Sequence, residues 1–121
     1  ARMQHDRAAK PSEVAAVYWI EAKDMTGTAP PPTVRAAQWT LKTTVNQGDE
    51  LWEAIKVATE TGELGYKSKV STTSREDDIH TRTVCVLAHD RDDTAEIERL
   101  KARLIELGID ASALKLDSVR E

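Results

Sequence analysis

The stretch TRTVCVLAH, residues 81 to 89, constrains the fold more than any other part of the chain. It is rich in β-branched residues. In its middle Val84, Cys85, Val86 and Leu87 are apolar on both faces, the pattern of an interior strand covered on both sides. Such a strand belongs at the centre of a sheet, so the rest of the chain has to supply its neighbours. Residues 14 to 23 (VAAVYWIEAK) hold β-branched and aromatic residues that suit a half-buried strand. QWTLKTTV, residues 38 to 45, alternates: Trp39, Leu41 and Thr43 share one face, Gln38, Thr40, Lys42 and Thr44 the other. GYKSKVST, residues 65 to 72, places Tyr66, Ser68 and Val70 on one side and Lys67, Lys69 and Ser71 on the other. ALKL, from Ala113 to Leu116, adds a short last strand.

Two segments switch to helical spacing. In the first, Asn46 is the expected cap, with Asp49 three residues on, and Leu51, Trp52, Ile55 and Ala58 form the apolar stripe that Gly62 ends. In the second, Asp93 caps with Glu96 at the third position, and Ile97, Leu100, Leu104 and Leu107 run to a stop at Gly108. Between strands, Asp24 to Ala37 reads as a loop stiffened by Pro30, Pro31 and Pro32, and SREDDIH as a charged hairpin. The order is β-β-α-β-β-α-β. One apolar stripe per helix and one apolar face per outer strand predict an α+β fold, with an antiparallel-rich sheet and both helices on one side. The other side is left for water or a ligand.

With 121 residues, 40% apolar and 31% charged, the chain makes one globular domain. The expected division is a flexible leader over 1–13, the domain over 14–117 and a tail over 118–121. No apolar run approaches the roughly 18 residues of a membrane helix, which predicts a soluble protein with no membrane partner. The lone Cys85 cannot form an internal disulfide, in keeping with a reducing, cytoplasmic setting. A formal charge of −4 argues against wholesale wrapping of nucleic acid but leaves room for a local basic face.

That face is the candidate site. Lys42, Lys67, Lys69, Thr40 and Ser71 project together if their strands lie close, and ammonium groups with hydroxyls are what a phosphate needs. Arg35 on the loop, with His80 and Arg82 at the start of the central strand, are placed to join them. The expected occupant is a phosphorylated small molecule or a short single-stranded RNA. Trp39 and Trp52 fall on apolar faces and read as core, as does Tyr66; Trp19 shares its face with Glu21 and Lys23. His5, His80, His89 and Cys85 show no paired ligand spacing, so neither metal nor cofactor is expected, and Cys85 reads as an inert small hydrophobe. No nucleophile elbow, phosphate-binding loop or dinucleotide fingerprint is present. One alternative is an enzyme in which Lys69 and His80 move protons on a phosphoester. A second is an adaptor that docks a protein partner on its helices through Val57 and Ile105, which lie off the main stripes.

In order along the chain, YWIEAKDMTGTAPPP, QWTLKT, DELWEAIKVATETGELG, KSKVST, VCVLAHD and IERLKARLIELGI resemble the Bles-type (basophilic leukaemia-expressed protein) family, placed in the fold of the 4E-type cap-binding translation initiation factors. The resemblance covers Tyr18 to Ile109 and implies a curved antiparallel sheet backed by helices. In the initiation factors the concave face holds the methylated guanine cap between two tryptophans. The loop from Thr26 to Ala37 has no aromatic to serve as one of them. The resemblance instead carries over the phosphate side: Gln38 stands where the factors place an arginine, and Lys69 and Ser71 fall on the strand that supplies polar and basic ligands. Bles-like proteins are also likened to phosphothreonine lyases, which use a Lys and a His, and this implies the same Lys69 and His80 pair.

Overall fold

The fold is that of a computed structural model, which describes residues 3–4, 19–71 and 81–119. Its strands are β1 (Met3–Gln4), β2 (Trp19–Lys23), β3 (Ala37–Thr44), β4 (Lys67–Ser71), β5 (Thr81–Ala88) and β6 (Lys115–Ser118). Helix α1 (Val45–Glu60) follows β3, and α2 (Thr94–Glu106) follows β5. The six strands form one sheet in the order β1-β2-β4-β5-β3-β6. Every pairing from β2 to β6 is antiparallel; only β1 runs parallel to its neighbour. The architecture is α+β. No helix among the described residues is long and apolar enough to cross a membrane.

The doubly apolar segment is the central strand. β5 lies between β4 and β3, where both its edges are hydrogen-bonded. Period-two alternation sends Val84, Val86 and Ala88 to one face with Trp39, Leu41, Ile20 and Val70. Both helices cover that face. α1 contributes Trp52, Ile55 and Ala58 to the core, and Thr59 Oγ1 lies 2.6 Å from Ser68 Oγ. α2 contributes Ile97, Leu100 and Leu104, and Trp39 Nε1 donates to the Ile97 carbonyl at 3.0 Å. Trp39 and Trp52 are therefore core. Tyr66, expected with them, is only half-buried, because it precedes β4 and lies where the sheet begins.

Four boundaries differ from the sequence reading. Thr44, not Asn46, caps α1: its hydroxyl accepts from the Gln47 N–H at 3.2 Å, so the helix starts directly at the end of β3 with no intervening loop. The last strand is Lys115–Ser118 rather than Ala113–Leu116, because Asp110 caps a 3₁₀ turn over Ala111–Ala113 that uses those residues first. Strand pairing thus extends into the segment assigned to the tail. Met3–Gln4, assigned to the leader, pairs with Trp19 and Ile20. The stops are where the glycines put them, Gly62 at φ +84° and Gly108 at φ +99°. Both angles lie in the left-handed region that glycine enters without steric cost. The hairpin over residues 74–80 lies outside the described residues.

Candidate functional site

On the face opposite the helices, the register aligns Trp19, Glu21 and Lys23 of β2 with Lys67, Lys69 and Ser71 of β4. Beyond them come Leu87, Cys85 and Thr83 of β5, then Gln38, Thr40 and Lys42 of β3, then Asp117 and Lys115 of β6. Among the described residues this face holds five lysines (23, 42, 67, 69 and 115) against two carboxylates (Glu21 and Asp117). It is basic on a chain whose formal charge is −4. A shallow depression of about 520 Å³ lies in it, lined by Trp19, Gln38, Thr40, Thr83, Cys85 and Asp117 among others.

Six of the residues singled out in the sequence share this face: Gln38, Thr40, Lys42, Lys67, Lys69 and Ser71. They do not all converge. β5 separates β3 from β4, so Lys42 stands two strand spacings, roughly 9–10 Å, from β4, and it is level with Ser71, with Lys69 and Lys67 offset two and four residues further along. Each basic group also has a local partner. Lys67 Nζ is 3.0 Å from Glu21 Oε2, whose side chain is 2% exposed. Lys69 is buried, with its ammonium 4.5 Å from the centre of the Trp19 ring. Lys42 Nζ donates to Thr83 Oγ1 at 2.8 Å, and Ser71 Oγ accepts from the Thr83 N–H at 2.8 Å. Among the described residues, the buried Oε1 of Gln38 on this floor has no hydrogen-bond partner.

Two expected members are elsewhere. Arg82 pairs in register with Thr43, on the helix side of the sheet, and a Cβ on Gly48 of α1 would lie 3.9 Å from its Cγ. One step along a strand reverses the side a residue faces, and Arg82 is one step from Thr83. Arg35 makes a two-pronged pair with Asp90, Nε to Oδ1 at 3.0 Å and Nη2 to Oδ2 at 2.6 Å, with Asp92 at 3.3 Å. It ties the proline loop to the turn between β5 and α2. That guanidinium holds the Asp90 carboxyl well below its usual range, at about 2. His80 lies outside the described residues.

Cys85 is buried at the centre of the face, its Sγ 3.9 Å from Thr40 Oγ1. Burial pushes its thiol pKa up, and the Thr40 hydrogen bond opposes this without reversing it. The thiolate is disfavoured, as the sequence reading of an inert thiol requires.

The sequence reading missed one constellation. His89 at the end of β5 meets Asp93 and Glu96 at the start of α2, with His89 Nε2 2.9 Å from Asp93 Oδ2 and 2.9 Å from Glu96 Oε2. In sequence, Asp93 and Glu96 read as a capping pair, and His89 to Asp93 (HDRDD) as an acidic helix entry that lacks the glycine turn and closing glutamate of a calcium loop. Asp93 Oδ1 does accept from the Glu96 N–H at 3.2 Å, but its other oxygen turns to His89. The available signal was the spacing His89-x3-Asp93-x2-Glu96, which puts all three on one side of a helix start. The hydrogen bond from His89 lowers the Asp93 pKa, whereas burial raises that of Glu96.

The fold and this face define a single-sheet α+β domain, with one side closed by two helices and the other presenting lysines and hydroxyls. The chain belongs to the basophilic leukemia-expressed protein Bles03 family, whose model matches residues 3–115. A search of curated proteins finds no match.

Proposed function

We propose that the open face of the sheet binds a phosphorylated ligand, a nucleotide or a short single-stranded RNA, without chemical turnover. The observation that carries this reading is the charge asymmetry: five lysines against two carboxylates on one face of an acidic chain. The exposed Lys23, Lys42 and Lys115 supply charge that a phosphate can approach from solvent. Thr40 and Thr83 supply hydroxyls beside the depression, the Gln38 carbonyl oxygen offers an acceptor to a base edge, and Trp19 offers an aromatic surface. This reading retains the likeness to the 4E-type initiation factors, whose sheet face holds a nucleotide, but without their paired tryptophans. Trp39 and Trp52 are both in the core.

The test is a titration of ¹⁵N-labelled protein with a short single-stranded RNA, and separately with a nucleoside monophosphate, at low salt. Shifts are expected on β3, β4 and β5 and are expected to reverse with added salt. Unchanged spectra with both ligands would sink the proposal.

A protein partner on the helix side is the second reading. Val57 and Ile105 are 48% and 43% exposed, and Val57 lines a groove between α1 and α2 with Ala54 and Leu107. The lyase alternative has less support, since Lys69 is 6% exposed and lies against Trp19 rather than open to a substrate.

A further inference from the structure

Two carboxylates, one capping α2 and one in its first turn, meet a single imidazole nitrogen. A neutral imidazole Nε2 carries at most one hydrogen, which can be shared between Asp93 Oδ2 and Glu96 Oε2 but cannot fully satisfy both at 2.9 Å. Glu96 is 8% exposed, so water does little to make up the shortfall. The three ligand-type atoms lie within 4.8 Å of one another. Donors bound to a first-row divalent cation at about 2.0–2.1 Å are themselves roughly 3 Å apart, which the two 2.9 Å separations from His89 Nε2 already match; the two carboxylates need only turn toward each other by side-chain rotation. We infer that His89, Asp93 and Glu96 form a binding site for a divalent transition-metal cation, with zinc the natural probe.

The donor set decides the class of metal. Imidazole nitrogen selects zinc, iron, nickel and copper over magnesium and calcium, while the two carboxylate oxygens keep the site from the softest, thiolate-seeking ions. The elements hold the donors firmly. His89 follows the central strand directly, and its carbonyl accepts from the Thr33 N–H at 2.9 Å. Asp93 caps α2 and Glu96 sits in its first turn, and the apolar stripe of that helix is fixed in the core. Beside Asp93 and Glu96 opens a depression of about 330 Å³, also lined by Thr28, Pro30, Leu64 and Arg99. It gives a bound cation room for a fourth, exchangeable ligand, and Arg99 makes an anion a suitable one. This site is on the helix side, apart from the basic face, and stands or falls separately from it.

The test uses the full chain and zinc sulfate alone. ¹³C-resolved histidine spectra and calorimetry should show one zinc per chain, with the His89 ring resonances shifting, and the melting temperature should rise with zinc concentration. Asp93→Asn combined with Glu96→Gln should weaken zinc binding at least tenfold; asparagine still caps the helix, and amide spectra check that the fold is kept. His89→Asn should do the same, whereas His5→Asn with His80→Asn should leave binding unchanged. Absence of zinc binding at millimolar concentration, or binding that survives His89→Asn, overturns the inference.

Discussion

The ammonium of Lys69 lies 4.5 Å from the centre of the Trp19 ring, across the β2–β4 pairing, and Glu21 stands directly opposite Lys69 in the same register. A lysine 6% exposed keeps its charge tolerable only through such neighbours. Its main contribution is to cover the apolar centre of the face, where Cys85 is its register partner on the other side. Lys69→Met keeps the volume and loses the charge contacts, but also relieves desolvation. It is expected to destabilise by about 1 kcal/mol, a cation–π contribution at a partly desolvated site. Urea denaturation measures this, and a variant more stable than the parent would show that the charge is a net burden. Lys69→Ala should cost more, because a cavity is added to the lost contact.

The pair between Arg35 and Asp90 sets the acid limit of the loop over residues 24–36. Folding lowers the Asp90 pKa from an ordinary 3.8 to about 2, chiefly through the Arg35 hydrogen bonds. The folded state therefore releases this proton more readily than the unfolded chain. Its contribution to stability is present above pH 3.8 and is lost as pH falls from there through about 2. Asp90→Asn should lower the melting temperature at pH 6 and flatten the fall in stability below pH 4. Melting curves across pH 2 to 6 test it, and parallel curves for the two proteins would remove Asp90 from the account.

Gly65, two residues before β4, lies against the backbone of β5 at Leu87. A Cβ there would lie 1.7 Å from the Leu87 carbonyl oxygen, a backbone atom with no room to retreat while the strands stay paired. Gly65→Ala is expected to cost about 3 kcal/mol, the upper end for overpacking, since Lys67 pairs with Leu87 two residues on. Gly27→Ala is the converse comparison: its φ is +74°, where Gly65 has no positive φ, but no atom lies within 4 Å of the added Cβ, so it reads backbone strain without a clash. A Gly65→Ala loss within about 0.5 kcal/mol of the parent, as for an ordinary surface change, would mean that the close approach has no energetic weight.

Most of the fold was legible because each element carried a period and a stop. The stripe from Ile97 to Leu104, the glycine stops and the alternation around Trp39 each depend on residues near in sequence. What local reasoning could not supply was adjacency. Nothing in QWTLKTTV or KSKVST says that β5 comes between them, so Lys42 was grouped with Lys67 and Lys69 more tightly than the sheet allows. Arg82 was misplaced for a related reason: its face follows from the register with Thr43, which a one-residue shift would reverse. Arg35, free on paper, was claimed by Asp90 from 55 positions away. In the His89 cluster, capping and helix entry already explain Asp93 and Glu96 in sequence, and a local explanation that suffices conceals a second partner.

These placements decide which lysines can test ligand binding. Lys67 pairs with a Glu21 side chain that is 2% exposed, so its removal takes an ion-pair partner from a buried carboxylate and confounds binding with unfolding. Lys42 and Lys115 are exposed and project from β3 and β6 on the same face, with Lys115 opposite Thr40. Lys42→Gln with Lys115→Gln should leave stability within about 0.5 kcal/mol of the parent, as surface changes do. If both lysines meet phosphates of a single-stranded RNA, the salt slope of log affinity should flatten by about 1.4, at ~0.7 per phosphate contact. Fluorescence anisotropy of a labelled oligonucleotide between 25 and about 200 mM salt reads both quantities in the range where counterion release dominates. A weaker affinity with an unchanged slope would place the contact at a base or sugar instead. An unchanged affinity would move the ligand off this side of the sheet and leave the groove at Val57 as the surface to examine.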